Sequence, residues 1–206
     1  MIFTRNPVLG QCKTRLAARV GDRRALDIYL FLLRHTARVT APLRGCDKYV
    51  FFSDRPVDGS VWDPEVFAFE VQQGENLGAR MHNAFDWAFR AGYSRVILIG
   101  SDLYDLDTPD LTDAFDRLET CDAVIGPATD GGYYLLGLTR MLPDVFRNKA
   151  WGTATVFQDT LHDLARIKAH RLSPRNDVDY YEDIAGIPAF EPFLNDLPPH
   201  DPETNR

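Results

Sequence analysis

Short runs of apolar, often β-branched residues alternate along the chain with stretches whose apolar positions recur every three or four residues. The runs Met1–Thr4, Lys48–Ser53, Val66–Gln72, Arg95–Ile99, Asp122–Pro127 and Tyr133–Leu138 read as strands. The first is short, as if its natural start lay a few residues upstream. Helical spacing marks Arg24–Val39, where Leu26, Tyr29, Leu30 and Leu33 share a face, and Asn76–Ala91, where Leu77, Met81, Phe85 and Ala88 do. Further helices are predicted over Pro109–Leu118 and Thr153–Ile167, with a last one beginning at Asp179–Ile184. Alternation of this kind predicts an α/β domain with a mainly parallel sheet and helices on both faces. Tyr133–Leu138 follows its predecessor too closely for a helical crossover, so it is expected to be antiparallel or at an edge. One domain over 1–190 and a loose C-terminal tail over 191–206 complete the expectation.

Composition narrows the class. A chain of 206 residues suits one core, and a net charge of −7 argues against a surface that coats nucleic acid. No stretch reaches the roughly 20 apolar residues of a membrane span, and the first residues carry no secretory apolar segment. Cys12, Cys46 and Cys121 are scattered and odd in number. They read as reduced thiols of a cytoplasmic protein.

The Arg95–Ile99 run stops at Gly100-Ser101-Asp102. A wholly apolar strand is buried on both faces, and ligands of open α/β sheets bind beyond such carboxyl ends. Asp102 is therefore a candidate metal or substrate ligand. Its bland alternative, capping the next helix, is weakened because Thr108-Pro109-Asp110 supplies a cap of its own.

Past the first strand lies Pro7-Val8-Leu9-Gly10-Gln11-Cys12-Lys13-Thr14-Arg15-Leu16. It is not a Walker A loop, because Cys12 precedes the lysine and the pattern's first glycine would fall on Pro7. Lys13 and Arg15, with Arg5 nearby, still bring cations suited to phosphate oxygens to the edge that carries Asp102. A solvated basic turn is the competing reading.

Two more segments carry candidate chemistry. Asp130-Gly131-Gly132-Tyr133 lets backbone N–H groups approach a ligand, and Asp130 could bind sugar hydroxyls or position an acceptor. Asp130-Gly131 is equally an ordinary hairpin turn. In Asp177-Val178-Asp179, Asp179 with Glu182 makes a capping box, which does not prevent its carboxylate from also holding a cation. With Asp102, these acids form an oxygen-only set suited to Mg²⁺ or Mn²⁺. Zinc is disfavoured, since the five histidines and three cysteines form no ligand pair.

Together the motifs resemble a bacterial family of small GT-A-fold glycosyltransferases, or nucleotide-diphospho-sugar transferases. They run in order: Pro-x-x-Gly-x-x-Lys-Thr-Arg-Leu, Leu77-Gly78-Ala79-Arg80-Met81, Ile99-Gly100-Ser101-Asp102, Gly126-Pro127-x-x-Asp130-Gly131-Gly132-Tyr133-Tyr134-Leu135, Trp151-Gly152-Thr153 and Asp177-Val178-Asp179. The resemblance spans Phe3 to about Ile184 and extends to nucleotidyltransferases acting on sugar phosphates or molybdopterin. It implies a single-domain GT-A fold with a nucleotide sugar or nucleoside triphosphate across the strand ends. Arg5, Gly10, Lys13, Arg15, Leu77 and Gly78 would bind the nucleotide. Asp102, Asp177 and Asp179 would hold Mg²⁺ or Mn²⁺. Asp130, Gly131, Gly132, Tyr133 and Trp151 would face the sugar or acceptor, and catalysis would fall to Asp102, Lys13 and Asp130. The family usually places Cys-Pro after the aspartate, whereas this chain reads Leu103-Tyr104, so the loop that aims Asp102 is expected to differ.

The leading expectation is metal-dependent glycosyl transfer from a nucleotide-diphospho-sugar to an acceptor the sequence does not identify. One alternative is nucleotidyl transfer, condensing a nucleoside triphosphate with a phosphorylated substrate. Another is a nucleotide-binding protein without catalysis.

Overall fold

Strands and helices alternate as their patterns require. The computed structural model describes residues 1–56, 60–195 and 197. Seven strands, β1 (Ile2–Thr4), β2 (Tyr49–Phe52), β3 (Ala68–Val71), β4 (Val96–Ile99), β5 (Ala123–Pro127), β6 (Tyr133–Leu138) and β7 (Ala169–Arg171), form one sheet in the order β3-β2-β1-β4-β6-β5-β7. Only β6 runs antiparallel to its neighbours. Its direction matches the short connection from β5, but it lies inside the sheet between β4 and β5 rather than at an edge. This reversal brings the end of β5 and the start of β6 to the edge where β1 and β4 also end.

Two cores cover the two faces, divided by strand alternation. Ile97 and Ile99 pack with Tyr29 and Leu33 of α2 (Asp22–Thr40) and with Leu111 and Ala114 of α4 (Thr108–Arg117). Val96 and Leu98 pack with Met81 and Phe85 of α3 (Leu77–Arg90) and Phe157 of α5 (Val156–Leu164). A third cluster sits behind α2. There Leu16 and Val20 of α1 (Thr14–Val20) meet Ile28, Leu32, Val178, Ile184 and Phe190.

Several boundaries differ from expectation for local reasons. Asp107, not Thr108, caps α4, and its carboxylate and that of Asp110 exchange hydrogen bonds with each other's backbone N–H. Thr153 lies in a turn, and α5 starts at Val156. Instead of a helix from Asp179 there is a 3₁₀ turn over Tyr181–Asp183. Residues 191–194, expected within the tail, form a short helix α6 (Glu191–Leu194). With the preceding 3₁₀ turn Pro188–Phe190, it packs against α2 through Phe31, Phe190 and Phe193. The rest of the expected tail, apart from Asn195 and Leu197, lies outside the described residues. No helix among the described residues is long and apolar enough to cross a membrane.

Candidate functional site

Asp102 leaves β4 through Gly100 and Ser101. A Cβ on Gly100 would come within 2.9 Å of the Asp102 Oδ1, so the glycine makes room for the acid's own carboxylate. The main-chain oxygen of Asp102 accepts the Val178 N–H at 3.0 Å, and Leu103 bridges Asp177 in antiparallel register. Two short extended segments thus pair beyond the strand ends. On either side of buried Val178, this pairing aims Asp177 and Asp179 toward Asp102. One ligand oxygen from each of the three acids lies within 4.8 Å of the others.

Asp179 does not cap the following turn. The turn starts one residue later, with Tyr180 at its N-cap, and Asp183 reaches back from the third position, its Oδ2 accepting the Asp179 N–H at 2.9 Å and the Tyr180 N–H at 2.6 Å. The Asp179 carboxylate is thereby left for side chains. Its Oδ1 accepts from Lys13 Nζ at 2.9 Å and its Oδ2 from Arg15 at 3.1 Å. Lys13 also reaches Asp102 Oδ2 at 3.0 Å. The lysine side chain is only 6% exposed, and its backbone is left-handed at φ 49°, a conformation costly for a residue with a Cβ.

The charges are unevenly matched. Burial opposes the Lys13 ammonium, but Asp102 and Asp179 overcome it and lift its pKa above the ordinary lysine value. Burial likewise opposes the Asp179 carboxylate, and Lys13 and Arg15 outweigh it, holding that pKa below the usual range. Asp177 goes the other way: burial, then the charges of Asp102, Asp130 and Asp179, push it up to about 6. An oxygen-only donor set with a surplus of negative charge fits a hard divalent cation.

Two residues that no sequence pattern singles out as functional fix this geometry. The Tyr29 hydroxyl bonds the Thr4 hydroxyl at 3.1 Å, the Arg5 N–H at 3.0 Å, the Arg5 carbonyl at 3.1 Å and the Ser101 hydroxyl at 3.5 Å. Its place on the apolar face of α2 reads only as core. Asn176 donates to Asp183 at 2.8 Å and accepts from the Thr129 hydroxyl, linking the acid segment to the glycine turn. Tyr104 turns away from the acids and stacks among Phe31, His35 and Phe190, with ring centroids 4.9 to 5.7 Å apart. The departure after Asp102 therefore anchors the C-terminal segment.

The remaining candidates form a neighbouring group. Asp130 is exposed, accepts the Gly132 N–H at 2.8 Å and acts electrostatically on Asp177. Gly131, at φ 93°, lies so close to Ala154 that a Cβ would meet that carbonyl at 2.4 Å. Gly78 is buried, and a Cβ there would meet the Trp151 indole nitrogen at 2.5 Å. Trp151 also lies edge-on to Tyr133, with centroids 6.4 Å apart. The α3 start, the glycine turn and the Trp151 loop are thus one packed unit. Leu77 projects from it, 46% exposed. Gly10 takes a positive φ of 73° in the exposed basic loop, and Arg5 is exposed beside it.

The family model for uncharacterized proteins conserved in bacteria (DUF2064) matches residues 36–153, more than half of the chain, and the protein belongs to that family. A solved structure of a provisionally assigned nucleotide-diphospho-sugar transferase from Desulfovibrio desulfuricans G20 is 33% identical. The match covers 92% of this chain and 88% of that one, with a TM-score of 0.82. The fold is that of the nucleotide-diphospho-sugar transferases, as the motifs implied. Two more distant structures share the fold alone. The bifunctional IspDF of Campylobacter jejuni is 10% identical over 89% of this chain and 52% of its own, with a TM-score of 0.54. A CMP:2-keto-3-deoxy-manno-octonic acid synthetase complexed with CTP is 11% identical over 93% of this chain and 96% of its own, at 0.51. No curated protein sequence matches this chain.

Proposed function

We propose that the protein transfers a glycosyl group from a nucleotide-diphospho-sugar to an acceptor, with the help of a divalent cation. The observation that carries this reading is the meeting of three carboxylates within 4.8 Å, beside a buried lysine and Arg15, at the carboxyl edge of the sheet. The 33% identical relative is described in those same terms of donor chemistry. In this reading Asp102, Asp177 and Asp179 hold Mg²⁺ or Mn²⁺. The bound cation supplies neutralisation of the charge that develops on the leaving diphosphate.

The chain's own residues do the rest. Lys13 and Arg15 orient the phosphates and share their charge. Leu77, Gly78 and the basic loop residues Arg5 and Gly10 line the nucleotide, while Gly131, Gly132, Tyr133 and Trp151 shape the sugar side. Asp130, exposed on its turn, takes the proton of the acceptor hydroxyl as the anomeric carbon's bond to the diphosphate breaks and its bond to the acceptor oxygen forms.

The test is product analysis over a panel of nucleotide sugars with Mg²⁺ or Mn²⁺, following nucleoside diphosphate release to acceptors or water. Metal-dependent release that Asp102→Asn abolishes is the expected result. Pyrophosphate released from a nucleoside triphosphate would replace this reading with nucleotidyl transfer. Tight nucleotide binding without any turnover would leave a binding protein.

A further inference from the structure

We infer that Lys13 is an exchangeable internal counter-ion: it holds the carboxylates while the cation is absent and is released when cation and diphosphate arrive together. The inference rests on the metal reading above and concerns how the site is filled. Both oxygens of Asp179 already carry a cationic partner, Oδ1 from Lys13 and Oδ2 from Arg15, and Asp102 Oδ2 carries Lys13 as well. A cation that takes Asp179 must therefore displace or share one of these. Arg15 is 57% exposed and can swing into water, but Lys13 is 6% exposed. An ammonium buried to that degree cannot stay beside a divalent ion without an anion of its own.

The backbone supports the same conclusion. Lys13 sits at the head of α1 in a left-handed conformation that a non-glycine residue holds only when its surroundings impose it. Two ion pairs across 89 and 166 residues of chain supply that constraint. When the carboxylates change partner, Lys13 is freed at the mouth of the basic loop, where an incoming diphosphate offers oxygens. Metal alone is then opposed by the lysine, and diphosphate alone finds the lysine already engaged. Each ligand removes the obstacle to the other, which is positive coupling between two sites.

The experiment is a Mn²⁺ titration of the full chain followed by electron paramagnetic resonance, with and without inorganic pyrophosphate at fixed free Mn²⁺. Lys13→Met and Lys13→Gln are run in parallel, with folding checked by near-ultraviolet circular dichroism. The wild type should bind Mn²⁺ weakly alone and roughly tenfold more tightly with pyrophosphate. The variants should bind Mn²⁺ alone about tenfold more tightly than the wild type and lose most of the pyrophosphate effect. Folded variants that bind Mn²⁺ no better than the wild type would overturn the exchange while leaving the metal site standing. No Mn²⁺ binding by any of the proteins under either condition would overturn both. Should neither variant fold, the lysine ammonium ¹H–¹⁵N correlations of the wild type decide. The Lys13 signal must move on adding Mg²⁺ with pyrophosphate, and an unmoved signal rejects the proposal.

Discussion

Two lysines are buried almost equally in this protein, Lys13 at 6% and Lys149 at 4% side-chain exposure, yet they stand in opposite electrostatic situations. Lys149 pairs with the single carboxylate of Asp163 and donates to the Arg147 carbonyl at 3.4 Å. Its effect is to tie the loop before Trp151 to α5. Lys13 faces two carboxylates, with a third acid beside them whose pKa is pushed up to about 6. A buried lysine alone therefore marks nothing beyond a satisfied ion pair. What separates the two is the surplus of negative charge around Lys13, which a one-to-one pair does not leave behind.

The comparison can be broken most decisively at Asp102. Asp102→Asn should lower metal-dependent turnover by about 100-fold or more while leaving the thermal midpoint nearly unchanged. A variant that retained turnover would erase the distinction between the two lysines. Lys149→Met should do the reverse, lowering stability by about 2 kcal/mol in urea denaturation, because Asp163 loses its partner at 21% exposure. Mn²⁺ affinity should not follow. Gly78→Ala tests the unit that Lys149 helps to hold. Its new Cβ would meet Trp151 and the Phe146 carbonyl at 2.5 and 2.7 Å. A loss of about 1–3 kcal/mol and a shifted tryptophan emission are expected.

The smallest effect sharpens the surplus-charge argument directly. The pKa of Asp177 is raised on folding, from 3.8 to about 6, so the folded state binds more protons than the unfolded state between those values. Stability without metal should therefore fall as pH rises through that window. Asp177→Asn should remove the fall and stabilise the metal-free protein at pH 7 by about 1 kcal/mol, after allowance for the group's partial exposure. At pH 4 variant and wild type should coincide, and Mg²⁺ should favour the wild type alone. A destabilised variant at pH 7 would show that Asp177 is not electrostatically frustrated.

The central strand and the place of Asp102 beyond its end are legible because a wholly apolar run that halts at Gly100-Ser101-Asp102 has few structural meanings. The antiparallel direction of β6 was legible from connection length, whereas its interior position depends on pairing with β4, which no local pattern encodes. β7, with the sequence Ala169-His170-Arg171, has no apolar run to announce it and is recruited by pairing with β5. The cap is shifted by one residue from the expected pair: Tyr180 starts the turn and Asp183, not Glu182, is the acid three residues on that reaches back to its N–H. Lys13 is legible only as a cation at the edge that carries Asp102. Its partners could not be read, since they lie 89 and 166 residues away.

The Tyr29 hydroxyl has a consequence for how the two loops of the candidate site are spaced. One oxygen inside the protein touches both the end of β1 and Ser101, the residue before Asp102. It works as a caliper, setting the separation of the basic loop from the acid loop before any ligand arrives.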